Sequence, residues 1–307
     1  MMSFILKRLA AALVTVFVTT VAVSMLIHLV PGDPVEIMYA QSQGTTPEQL
    51  AAIKKELGLD RSVLVQYGMF LSRIVQGDFG KTIRGEQPVL PLLMLRLPYT
   101  LTLAAASLGI AILLGLTAGA IAAYRRGTWV DTGVMVGSIL GVSIPSFWLG
   151  LILMFVFAVR LQWLPVAGSG IGSLVLPALT LGLANSAIVA RLTRSSMVEI
   201  FNQDFVRVVR AKGVSQTVIL YRHVLRAALI PIVTMLGLQF TYMMGGAIVI
   251  ENVFAWNGIG RLAIQAIFQR DYPLIQGFIL MFAIIVVLIS LIVDLLYAWI
   301  DPRIRYV

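Results

Sequence analysis

The chain has 307 residues, 59% of them hydrophobic and only 12% charged, with a mean hydropathy of +0.93 and a formal net charge of +9. A soluble domain carries about a quarter charged residues, so the composition excludes a water-soluble globular protein and implies an all-α polytopic membrane protein whose backbone polar groups are satisfied inside helices. Cysteine is absent and there are two histidines, which excludes disulfides, thiolate metal sites, a cysteine nucleophile and a histidine-rich metal centre.

Apolar runs of about 20 residues, each able to cross a hydrocarbon core of roughly 30 Å as a helix, predict six transmembrane helices. They fall at about 9–30, 100–123, 133–159, 174–197, 229–251 and 277–300. The first run is too long for a signal peptide and has no small-residue cleavage site, so it reads as a retained helix. It stops at "PGDP", where two prolines close it. The segment 31–99 follows on the outer side. Within it, "TTPEQLAAIKKELGL" predicts a capped amphipathic helix, with Thr46 as N-cap, Pro47 in first position and Gly58 past the end. "SVLVQYGMFLSRIVQG" predicts a second, with both apolar faces laid on the membrane surface or on the spans. In the second and third spans, "GLTAG" (Gly115 to Gly119) and "GVMVGSILG" (Gly133, Gly137, Gly141) put glycines four apart on one helix face. Such a face allows close helix contact. Packing within the bundle is the first reading; lining a substrate path or a partner subunit is the second.

Six spans place both termini on one side, and the positive-inside rule makes that side cytoplasmic. The inner segments then hold thirteen cations against four carboxylates, and the outer ones ten against nine, with Asp294 inside the last span. Topology alone therefore accounts for the excess charge, and no nucleic acid is implied.

The longest inner segment, 198–228, has helical spacing and carries most of "DFVRVVRAKGVSQTVILYRHVLRAALIP", which runs from Asp204 to Pro231. Basic residues lead to Ala211-Lys212-Gly213, and an amphipathic run continues to Pro231. A glycine there breaks the helix, which predicts two short helices with a sharp turn. Such a rigid knob can seat in a groove of a soluble partner and pass a push into the spans. A solvated juxtamembrane linker touching anionic lipid is the alternative.

At this segment the chain resembles a family. "RVVRAKGVS" is similar to the coupling loop of ABC importer permeases of the dipeptide/oligopeptide/nickel branch. The likeness continues through "RLAAALVTVFVTTVAVSMLIHLVPGDP", "LGLDRSVLVQYGMFLSRIVQGDFGKTI", "ENVFAWNGIGRLAIQAIFQRDYPLIQ" and "VDLLYAWIDPRIRY", in order over nearly the whole chain. The outer segment and the C-terminal block resemble the first of the two permease subunits. In place of the general loop's Glu-Ala-Ala stand Arg207, Val208 and Val209, with Gly213 retained, and Asn257 replaces the proline usual before Gly258.

The resemblance implies a type I ABC importer permease fold in the bacterial inner membrane. It implies a heterodimer with a second permease, two ATPase subunits that bind ATP and Mg, and an extracytoplasmic solute-binding protein. This chain would bind no cofactor itself and would not be an enzyme. The ATPase-coupling residues would be Arg207, Arg210, Ala211, Lys212, Gly213 and Val214. Glu251, Asn252, Arg270 and Asp271 are candidates for a gate or for binding-protein contact, with a helix-end role as the alternative. Asp294, an intramembrane carboxylate about two turns from the inner end, reads first as a structural partner, near Arg303, and second as a gating residue. A proton-coupled secondary transporter is the rival from another class, although no internal repeat supports it. The absence of G-x-x-x-x-G-K-[ST] places ATP hydrolysis in another chain. Small peptides are the expected cargo, with glutathione or nickel chelates as alternatives.

Overall fold

The computed structural model describes residues 2–29, 61–83, 85–168 and 170–300. Its described elements are helices, apart from one isolated bridge between Lys81 and Pro88. Among the described residues five helices are long and apolar enough to span a membrane, and counting a pair bent by 100° as one broken span makes six.

The helices are α1 (Met2–Leu29), α2 (Val63–Val75), α3 (Val89–Tyr124), α4 (Trp129–Ser143), α5 (Ser146–Leu153), α6 (Ile171–Phe201), α7 (Asp204–Ala211), α8 (Leu225–Val253), α9 (Ile259–Gln269) and α10 (Tyr272–Ile300). A π-helical turn, Met154–Arg160, extends α5, and another, Ile219–Val224, precedes α8. The amphipathic helix expected over 46–58 lies outside the described residues.

Three boundaries differ from the sequence reading, and each difference involves proline. The third span is not one helix: α4 and α5 meet at 100°. Ile144 and Pro145 are extended there (ψ 122° and 130°), because a proline pushes the preceding residue out of the helical region and cannot supply the next hydrogen bond. Conversely, Pro98 lies inside α3, which starts at Val89 rather than near 100. Pro231 lies inside α8 rather than closing an amphipathic run. In a membrane the helix is retained because an open backbone has no water to bond.

The chain divides into two compact units. In the first, residues 1–98 with 261–291, α2 lies on α1. The hydroxyls of Thr20 and Tyr67 are 3.0 Å apart, and Phe17 meets Tyr67 edge-on. In the same unit, Gln276 Nε2 donates to the Val23 carbonyl at 3.0 Å.

The second unit is residues 99–260 with 292–307, and α6 is its central helix. Gly115 and Gly119 of α3 face Val189, Ala190 and Thr193 so closely that a Cβ on either would sit 2.5 Å from α6. Gly182 of α6 meets Ile110 in the same manner, and Gly141 of α4 meets Ala187. The expected close approach at "GLTAG" is therefore made. Gly133 and Gly137 have nothing within 4 Å, so of the second glycine series only Gly141 packs against another helix among the described residues. Buried Asn185 of α6 accepts a hydrogen bond from Gln239 of α8, and its own amide donates to the Leu181 carbonyl at 2.7 Å.

Candidate functional site

The cationic segment forms a projecting helix, α7, tied down by one buried side chain. Val206 is 0% exposed and packs in a cluster with Met197, Ile200, Ile219, Leu220 and Val224. Val209 and Val214 lean on the same cluster, whereas Phe205 and Val208 are exposed. The two valines where smaller residues are usual thus divide, one inward and one outward. Arg207, Arg210, Ala211, Lys212 and Gly213 are all exposed and Val214 is half-buried. Arg207 reaches Asp204 at 3.5 Å with both side chains in solvent, a pair that contributes little.

Gly213 makes the turn. Its φ is +75°, and its amide donates to the Arg210 carbonyl at 3.0 Å. Left-handed backbone is what glycine adopts without steric cost. The expected second short helix is corrected here: Gln216–Val218 runs through the π turn into α8 without a break. The knob therefore sits on the end of a membrane helix.

A second cluster lies at the other end of α8. Glu251 is 0% exposed. Thr100 Oγ1 donates to its Oε1 at 2.5 Å and the Gly260 amide donates to its Oε2 at 2.7 Å. The Ile259 amide donates to Thr100 Oγ1 at 2.9 Å, which closes the ring. Trp256, also buried, donates its indole N–H to the Tyr99 carbonyl at 2.9 Å. A side chain at 258 would overlap the Glu251 carboxylate and displace it, and one at 260 would run into the Ile248 backbone as well as that carboxylate.

In this clasp the Glu251 carboxylate is spent on the start of α9, which is the helix-end role given above as the alternative to a gate or binding-protein contact. Asp271 takes a helix-end role as well. It is 2% exposed, accepts from the Leu274 amide at 3.2 Å as the cap of α10, and accepts from the Ile83 amide at 2.9 Å. Asn252 and Arg270 are exposed, and Arg270 takes a left-handed φ of +57° at the end of α9. Asp294 is half-buried on α10, and the residue suggested as its partner, Arg303, lies outside the described residues.

One pair was counted in the sequence only as topology charge. Arg194 of α6 donates Nε and Nη2 to the two oxygens of Asp131 on α4, at 2.9 and 2.8 Å. The Gly127 amide also donates to Asp131, at 3.0 Å. This fork-on-fork geometry fixes the turn between α3 and α4. The partners stand 63 positions apart, and no local pattern joins them.

Residues 115–306 match the family model described as "Binding-protein-dependent transport system inner membrane component", and residues 1–104 match that of its N-terminal part. The chain is 42% identical over all 307 residues to the glutathione transport system permease protein GsiC of Escherichia coli (strain K12), with 100% of both chains covered. Identity to the protein of that name in Salmonella choleraesuis (strain SC-B67) is 41% over the same span. Among solved structures, the fold is similar to a chain of the MetNI methionine ABC transporter in inward facing conformations. The TM-score is 0.58 at 21% identity, over 68% of this chain and 96% of that one. It is also similar to an amino acid ABC transporter crystallised with histidines, with a TM-score of 0.53 at 18% identity over 74% and 97% of the two chains.

Proposed function

Because the chain belongs to the family of binding-protein-dependent transport system inner membrane components, we propose that it forms half of the pathway by which short peptides, glutathione among them, are imported. The protein is a multi-pass permease subunit of an ABC importer of the dipeptide/oligopeptide/nickel type, with the type I permease fold, in the bacterial inner membrane. It is a transporter subunit and not an enzyme; ATP hydrolysis belongs to its ATPase partners, and a binding protein supplies the solute. Membership sets aside the proton-coupled transporter that Asp294 raised.

In the proposed assembly a second permease completes the pathway, and two ATPase subunits hold ATP and Mg on the side where α7 projects. The observation that carries the coupling role is α7 itself: an exposed cationic helix rooted by Val206 and continuous, through the π turn, with α8. A partner that seats α7 moves a membrane helix directly. The cargo assignment rests on the full-length likeness to glutathione permeases and on spans poor in charge, which suit a solute passed on loosely.

The test is ATPase activity of the whole complex in lipid nanodiscs with its binding protein, across dipeptides, longer peptides, glutathione and chelated nickel. Stimulation by dipeptides or glutathione is expected. Stimulation by nickel chelate alone would overturn the cargo while leaving the permease role intact.

A further inference from the structure

The span Pro231–Val253 is the least apolar of the five long spans, and its midpoint carries an unusual side chain. Tyr242 stands eleven residues from either end, about 16 Å along the helix at 1.5 Å per residue. It is 74% exposed. Tyrosines favour the two membrane interfaces, where the hydroxyl meets water; Tyr124 and Tyr221, both exposed, lie at or near helix ends. Tyr242 has no such outlet.

Exposed threonines in other spans satisfy themselves. Thr15, Thr19 and Thr117 each donate to the carbonyl one turn back, at 2.9, 2.8 and 2.7 Å. Back-bonding of this kind needs a short side chain. A phenol hydroxyl stands too far from its own backbone to do it. The hydroxyl of Tyr242 has no hydrogen-bond partner among the described residues, which leaves it open to a molecule outside the chain. Its neighbours on the same face are Leu238, Gly245, Val249 and Asn252, all exposed, and a Cβ at Gly245 would meet nothing within 4 Å. By contrast, α1 presents Leu13, Val14, Phe17 and Val18 outward, a surface that lipid covers without cost.

We propose that Tyr242 lines the solute route and contacts an amide-bearing solute at the middle of the membrane, its hydroxyl bonding a carbonyl and its ring lying on an amide plane. The assignment rests on the importer reading above. The exposed face carries no charged side chain, so it can hold a peptide amide and release it.

The chain's lack of cysteine makes the test direct. Tyr242→Cys is introduced into the complete complex, and modification of this chain by a charged, membrane-impermeant methanethiosulfonate is followed by mass. Leu288→Cys, on the exposed face of α10, is the lipid-side control. A thiol in hydrocarbon stays protonated and unreactive, so a wet site should react faster by on the order of tenfold or more. Solute with binding protein and ATP should slow the reaction at residue 242. Labelling no faster than at residue 288, with wild-type uptake intact, overturns the assignment and leaves the importer reading standing. Loss of wild-type uptake would instead overturn the importer reading.

Tyr242→Phe supplies a second measure. It should raise the half-saturating solute concentration for uptake severalfold while assembly and basal ATPase activity hold. Unchanged uptake by Tyr242→Phe, with assembly lost in Tyr242→Ala, would place the ring against a neighbouring subunit and overturn the proposal.

Discussion

Glu251 buries a carboxylate within a membrane helix, and the ring of Thr100, Ile259 and Gly260 around it compensates for desolvation. Truncation strands these donors. Glu251→Ala should destabilise the second unit by about 1–3 kcal/mol, the usual cost of an unsatisfied buried group. Amide exchange at Ile259 and Gly260, read by mass spectrometry, should accelerate; protection unchanged from wild type would refute the clasp. At Gly213 the constraint is backbone rather than space, since a Cβ there meets nothing within 4 Å. Gly213→Asn should keep most transport, because asparagine tolerates left-handed φ, while Gly213→Val should lose it. Equal transport by the two variants would disconnect the turn from coupling. Gly213 was legible in the sequence as a break in a helical pattern. The clasp was not: Thr100 and Glu251 are 151 positions apart, and a helix-end acid looks alike whether solvated or enclosed.

Among the helices, proline had different outcomes that local sequence does not separate. Pro98, Pro177 and Pro231 stay inside helices, and Pro145 marks a 100° bend. Hydrophobic run length found the spans, since an apolar stretch of about 20 residues needs no tertiary information to be read as a crossing. Where a helix begins and whether it breaks depend on neighbours. Glycine spacing shows the same limit. The pairs Gly115/Gly119 and Gly133/Gly137 read identically, yet only the first meets a packed neighbour, α6. Gly119→Leu should therefore separate α3 from α6 and cost about 1–3 kcal/mol or more, as overpacking does. Gly137→Leu should leave the isolated chain's stability nearly unchanged. Thermal unfolding of both variants in one detergent checks the contrast, and equal midpoints would contradict the packing.

Over the whole chain, the net charge of +9 reads in the sequence as an expected topology, and the Asp131–Arg194 fork hidden within it cannot be read there. Asp131→Asn should lower stability by about 1.5–3 kcal/mol, the range for hydrogen bonds to charged groups. Arg194→Lys should restore little of what Arg194→Ala loses, because an ammonium cannot match two carboxylate oxygens at once. Full rescue by lysine would reduce the fork to simple charge attraction. Reversal of Arg207, Arg210 and Lys212 to Glu should release the ATPase subunits on purification, since projecting charges set partner choice; retention would leave these cations to lipid or topology. The π turn Ile219–Val224 has a consequence for how such a gene can vary. Deleting one residue there would let the turn relax to an ordinary helix with α7 near its present bearing, whereas a deletion in the regular helix beyond, where no extra residue is held, would swing α7 by about 100° around the axis of α8. Surface exposure alone would suggest that this region tolerates insertions and deletions freely. The unbroken helix makes length matter as much as identity: one residue can be lost at the π turn, and none from the regular helix that follows it.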